Sequence, residues 1–166
     1  YVDMRREGNM IYTTSISYNK PQYKAWGDRL AVWYPDTRNM LVYRVGEDGK
    51  MNLEHTYGDT LSLDRIRSVD VSSYEWDVSN SELIAATDDY LFLQTTVYSP
   101  SDGEDDSEQV LGNEIRVYDW QMNPVSKFEL DKKEATTVWV DPQRRKMYAY
   151  NPRLDFEQVY VYEYEL

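Results

Sequence analysis

The sequence predicts an all-β chain built from repeated antiparallel sheets, and three observations carry the prediction. Residues 40–45 (Met-Leu-Val-Tyr-Arg-Val), 115–120 (Ile-Arg-Val-Tyr-Asp-Trp) and 159–164 (Val-Tyr-Val-Tyr-Glu-Tyr) are near copies centred on a Val-Tyr pair. The first two lead through a polar turn into a second alternating segment, at 50–57 and 124–130. A recurring strand–turn–strand module marks a repeat architecture, in which one unit cannot bury its own apolar face and must stack on copies of itself. Sixteen Tyr and five Trp in 166 residues point the same way, because aromatic side chains suit a pleated, half-buried surface.

Taken in order, residues 11–18 alternate weakly and are expected as a strand, which Asn19-Lys20-Pro21 breaks. Residues 30–34 form the next strand, closed by Pro35-Asp36. A third follows at 40–45, and Gly46-Glu47-Asp48-Gly49 supplies the turn before a fourth at 50–57. The second unit places strands at 69–76, 89–98, 114–120 and 125–130, with a polar interruption at 99–113. Residues 61–68 suggest one helical turn, too short to count as a helix. The third unit has strands at 137–140, 146–150 and 158–164, one fewer than the others.

Spacing of roughly 40–50 residues per four-stranded sheet is the regime of β-propeller blades. The expected architecture is therefore a single β-propeller portion over 1–166, with blade-like units at about 10–58, 69–131 and 136–166. Val42, Val117 and Val161 should occupy equivalent strands. A unit short of one strand, with uncovered sheet faces at both ends of the stack, predicts self-association or pairing with the remainder of a larger ring.

Thirty acidic against eighteen basic residues give a formal charge of −12, a field that repels phosphate backbones and argues against nucleic acid as a partner. No run of about 18 apolar residues is present, so no transmembrane helix is expected. The absence of cysteine excludes disulfides, thiolate metal sites and cysteine nucleophiles.

Residues 113–130 running into 137–150 carry a recognisable pattern: Val-Tyr-Asp-Trp, a turn, Pro-Val and an apolar-Leu-Asp step, then Val-Asp, a basic turn and Met-Tyr-Ala. With the Tyr162-Glu163-Tyr164-Glu165-Leu166 ending and the Asp28-Arg29-Leu30-Ala31-Val32 strand start, this resembles the TolB-like six-bladed β-propeller lipoproteins of Gram-negative, Bacteroidetes-type bacteria. The resemblance covers about 28–57 and 89–166, and rests on pattern rather than on a chemical motif. It implies the C-terminal half of a six-bladed ring, since members are about twice this length. It also implies a periplasmic or outer-membrane-anchored location, through a lipidated cysteine upstream.

Candidate chemistry is sparse. Five carboxylates fall within 102–108, and Asp102, Glu104, Asp105 and Asp106 with Gly103 could offer oxygen ligands to calcium. The spacing departs from the EF-hand pattern, and crowded like charges more often form a solvated, mobile insertion. His55 is the single histidine, so a His-pair zinc site is excluded and any hydrolytic triad would need it as base. Its place in an alternating outer strand reads as an ordinary edge histidine. Trp33, Trp76, Trp120 and Trp139 read as packing between sheets. Trp26, between Ala25 and Gly27 in an irregular stretch, is the candidate for an exposed ligand-binding ring. Arg144 and Arg145 form a basic turn able to grip a carboxylate or phosphate. No catalytic residue is nominated. The expected function is a non-catalytic binding or scaffold propeller of the cell envelope. The alternatives are an envelope enzyme whose axial site needs residues outside this chain, and a calcium-rigidified structural module. Fold alone does not choose among them.

Overall fold

The structure, a computed structural model, describes residues 2–7, 10–15, 21–35, 38–58, 79–98, 110–153 and 158–166. It is all-β. Strands β1 (Val2–Glu7) and β2 (Met10–Ser15) form a hairpin of their own. The first four-stranded sheet runs β3 (Gln22–Trp26), β4 (Arg29–Tyr34), β5 (Asn39–Val45) and β6 (Met51–Tyr57). The second runs β7 (Ser79–Ala86), β8 (Tyr90–Tyr98), β9 (Val110–Asp119) and β10 (Pro124–Glu129). A third, of three strands, runs β11 (Thr137–Asp141), β12 (Lys146–Tyr150) and β13 (Tyr160–Glu163). Every pairing is antiparallel between strands adjacent in sequence.

The expected opening strand of the first sheet is corrected, and β7 is a strand that the sequence reading did not place. The segment at 11–18 does not open the first sheet, because β2 pairs with β1; β3 takes that place. Pro21 directly precedes β3, and Gly27-Asp28 closes the β3–β4 hairpin with Gly27 at φ +58°, a left-handed backbone that glycine adopts without a Cβ clash. The second sheet opens with β7, downstream of the expected 69–76. Residues 61–68 and 69–76, with Trp76, lie outside the described residues.

The three sheets stack face to face in chain order, and β7 touches both β3 and β11, so the first strands of successive sheets lie together. Two apolar layers result. Ala31, Trp33, Met40 and Val42 of the first sheet meet Leu83, Leu91, Leu93, Tyr118 and Trp120 of the second. On the second sheet's other face Phe92, Ile115 and Val117 meet Val138, Val140, Met147, Ala149 and Tyr164 of the third. Adjacent residues of β8 therefore serve different cores: Leu91 and Leu93 point one way, and Phe92 points the other. Burying each such side chain contributes about 1.5–3 kcal/mol.

The Val-Tyr anchors occupy the third strand of each sheet, as the repeat requires. Val42 and Val117 are fully buried, each on the face that meets the next sheet. Val161 pairs with Tyr148, opposite in phase to Tyr160 and Tyr162, which pack against the second core. It therefore occupies the corresponding outward face of the third sheet and is 52% exposed. The repeat is kept; the covering layer differs.

Urea unfolding in dilute protein tests this reading. Val117→Ala should cost about 2 kcal/mol, two lost methylenes plus a residual cavity. Val161→Ala should cost less than about 0.5 kcal/mol, as at exposed positions generally. Equal losses would show that the third sheet's outward face is covered within the single chain.

Candidate functional site

Up-and-down connection places the turns after first strands and after third strands at one end of each sheet. At that end the first two sheets are tied by polar contacts. The Trp26 indole N–H donates to Asp88 Oδ1 at 2.6 Å, and Arg29 Nη1 donates to the Asp88 carbonyl at 3.2 Å. The Arg29 guanidinium also lies 5.4 Å from the centroid of the Trp120 ring, within cation–π range. Trp120 in turn donates its indole N–H to the Thr87 carbonyl at 3.0 Å. Trp26 thus ends β3 instead of standing on an irregular loop, and its one polar hydrogen is committed to the neighbouring sheet.

The candidate arginines belong to the β11–β12 turn. Asp141 is buried and organises that turn: its Oδ1 accepts the backbone N–H groups of Gln143 and Arg144 at 3.1 and 3.0 Å. Arg144 Nη1 closes the arrangement on Asp141 Oδ2 at 2.8 Å. Arg145 takes a left-handed backbone, φ +53°, and its carbonyl accepts the Tyr164 N–H at 3.1 Å. Arg144 is therefore engaged by its own turn, while the Arg145 side chain is exposed. Trp26 and these arginines sit on the first and third sheets with the second sheet between them, so the three candidates are not assembled into one site. Asp102, Glu104, Asp105 and Asp106 lie outside the described residues. Among the described residues, no three carboxylate or imidazole side chains are placed to share a metal ion.

Other residues at the turn end are also held by local partners. Asp119 accepts backbone N–H groups of Gln121 and Asn123 and the Asn123 amide, all within 2.9 Å. Burial pushes its carboxyl up, but these hydrogen bonds and the nearby His55 outweigh it and hold the group below its ordinary value. His55 lies in β6, opposite Val42, on the edge strand farthest from β3. Arg44 bridges Asp28 and Glu54 at 2.7 and 2.6 Å.

A buried polar pair, not anticipated from the sequence, ties the second sheet to the third. Gln94 Nε2 donates to Asn113 Oδ1 at 3.0 Å and to the Thr136 carbonyl at 2.7 Å, and Asn113 Nδ2 donates to the Ala135 carbonyl at 2.6 Å. The available signal was a glutamine set inside the apolar run of β8. These bonds hold the strand entering the third sheet, since a buried amide left unpaired costs about 1–3 kcal/mol. Chemically, the contacts of Trp26, Arg29, Asp88, Trp120 and Asp141 at the turn end pair donors with acceptors within the protein.

Comparison of the chain with family models, curated proteins and solved structures returns no match. The residues themselves are what the functional reading rests on.

The turn predicts an acid response. The Arg144 guanidinium, and then its backbone N–H, hold the Asp141 carboxyl below its ordinary value of 3.8. A depressed folded value stabilises through the ionised form: the contribution is complete above the unfolded value and is lost as pH falls through the folded one. Urea midpoints measured between about pH 5 and about pH 1 should therefore fall less steeply for Asp141→Asn than for the parent chain. Parallel slopes would remove Asp141 from the acid response.

Proposed function

We propose that this chain is a portion of a β-propeller that serves as a non-catalytic binding or scaffold module of the bacterial cell envelope. The observation that carries the reading is the packing order: three antiparallel sheets stacked unlike face to unlike face, with first strands β3, β7 and β11 side by side. Sheets stacked in this way around a shared inner edge are how propellers present loops at the two ends of a ring. The resemblance of 28–57 and 89–166 to TolB-like lipoproteins supports the envelope setting.

The two ends differ in a way that favours one as the binding side. Short, internally bonded turns fill the end that holds Gly27-Asp28, Thr87–Asp89 and Trp120–Asn123. The opposite end receives the longer connections, at 58–78, 99–109 and 151–159. Binding residues concentrate on connections carried by a rigid frame, so the long-connection end is the proposed binding side.

A thermal-shift panel of envelope-type oligosaccharides and short peptides tests this, followed by chromatography of each hit. A hit should raise the melting temperature and be recovered unchanged. Replacing 99–109 with Asn-Gly should abolish that gain while leaving the unliganded melting temperature within about 3 °C. Conversion of a hit into product would overturn the non-catalytic reading, and a gain that survives the replacement would move binding away from this connection.

A further inference from the structure

We propose that a second copy of this chain docks head to tail on the first, the outward face of its first sheet covering the outward face of the third sheet. Two interfaces inside the chain set the pattern. In each, the face bearing the anchor valine is covered by the opposite kind of face of the next sheet: Val42 by the second sheet, Val117 by the third. The third sheet repeats the anchor face, and among the described residues none packs over it. There Trp139, Tyr148 and Val161 form one row across three strands, with the Trp139 and Tyr148 rings 5.4 Å apart. Trp139 is 58% exposed. Lys146 and Glu163 pair at 3.2 Å at the end of this face, a polar rim beside an apolar centre, as protein interfaces are built.

The complementary surface is on the same chain. The face of the first sheet turned away from the second carries Tyr23, Leu30, Val32, Leu41, Tyr43 and Leu53. Tyr23 is 60% and Leu53 53% exposed. None of the twelve side chains that the strand register places on this face is Asp, Glu, Lys, Arg or His. With 29% of the chain charged, a solvated face of that size would carry about three or four charges. One end of the stack thus exposes the covered kind of face, and the other end carries the covering kind, exposed at Tyr23 and Leu53 and closed over at Val32 in its middle. A second copy supplies the missing layer by continuing an interface already made twice. The contact is heterologous, joining different surfaces of the two copies. It depends only on sheet phase and exposure, not on the binding role proposed above.

Light scattering on gel-filtered 166-residue chain, across a concentration series, gives the test. The parent chain should rise from one chain mass toward about twice that mass or beyond as unlike faces meet. Trp139→Glu and Tyr23→Glu, at exposed positions on the first strands β11 and β3, should keep the circular-dichroism spectrum and weaken association more than about tenfold, as loss of an interface anchor does. An equimolar mixture of the two variants should recover a two-chain species, because each retains the face the other has lost. A parent chain that stays monomeric throughout overturns the proposal. So does association that survives either substitution, which would mean like faces or the free edge of β13 pair instead. A mixture that remains monomeric overturns it as well.

Discussion

The second sheet has to be apolar on both of its faces, and the remaining structure is arranged around that requirement. An antiparallel sheet with one wet face alternates apolar and polar side chains, whereas β8 reads Leu91-Phe92-Leu93 and buries all three. Such a strand is stable only when two other layers are present to receive it. The first sheet supplies one with Ala31, Trp33, Met40 and Val42, and the third supplies the other with Val138, Val140, Met147 and Ala149. Polar groups carried into the stack follow the same logic. The Trp33 indole N–H reaches the Ser81 carbonyl at 3.0 Å, and the Leu83 N–H reaches Gln22 Oε1 at 2.6 Å. Unpaired, those groups would oppose the stacking they now direct.

The turns also show where local strain is tolerated. Met122 adopts φ +65° in the β9–β10 turn, a backbone that costs a non-glycine residue about 1 kcal/mol or more. Its side chain is buried in the layer between the first and second sheets. Burial of a methionine stabilises by about 1.5–3 kcal/mol, enough to hold the turn in a conformation that glycine or asparagine would accept more readily. A residue that looks misplaced in a turn is there for the core.

Much of the sheet order was legible because period-two alternation and the Val-Tyr repeat both encode the third strand of each sheet. The first strand of the third sheet, at 137–140, is legible in the same way, but those of the first two sheets are not. Lys24 and Ala25 are poor strand formers, so β3 resembles a loop until its pairing with β4 and the Gln22–Leu83 bond are seen. Trp26 reads as part of an exposed stretch for the same reason; its partner Asp88 is 62 residues away, beyond any local pattern. Asp88 by itself reads as a turn residue. Trp139 was expected between sheets, and alternation does place it on a sheet face, but a sequence carries no mark of whether that face has a neighbour. The arginines of the β11–β12 turn were found, whereas the engagement of Arg144 by Asp141 depends on side-chain geometry.

Strict up-and-down connectivity also bears on how the chain acquires its structure. Every strand pair joins neighbours in sequence, so each hairpin can close before distant parts of the chain meet, and loop-closure entropy is spent in small steps. The second sheet is different, since neither of its faces is satisfied until a flanking sheet arrives. Its central strand β8 is covered from both sides only when those layers are in place, and in the finished molecule it is the most enclosed of the described strands. The order in which backbone amides become shielded during folding and the order in which they open in the native state are therefore not mirror images. The exposed outer strands β6 and β13 are expected to open first, whereas β8, covered on both faces, is expected to open only with the whole stack.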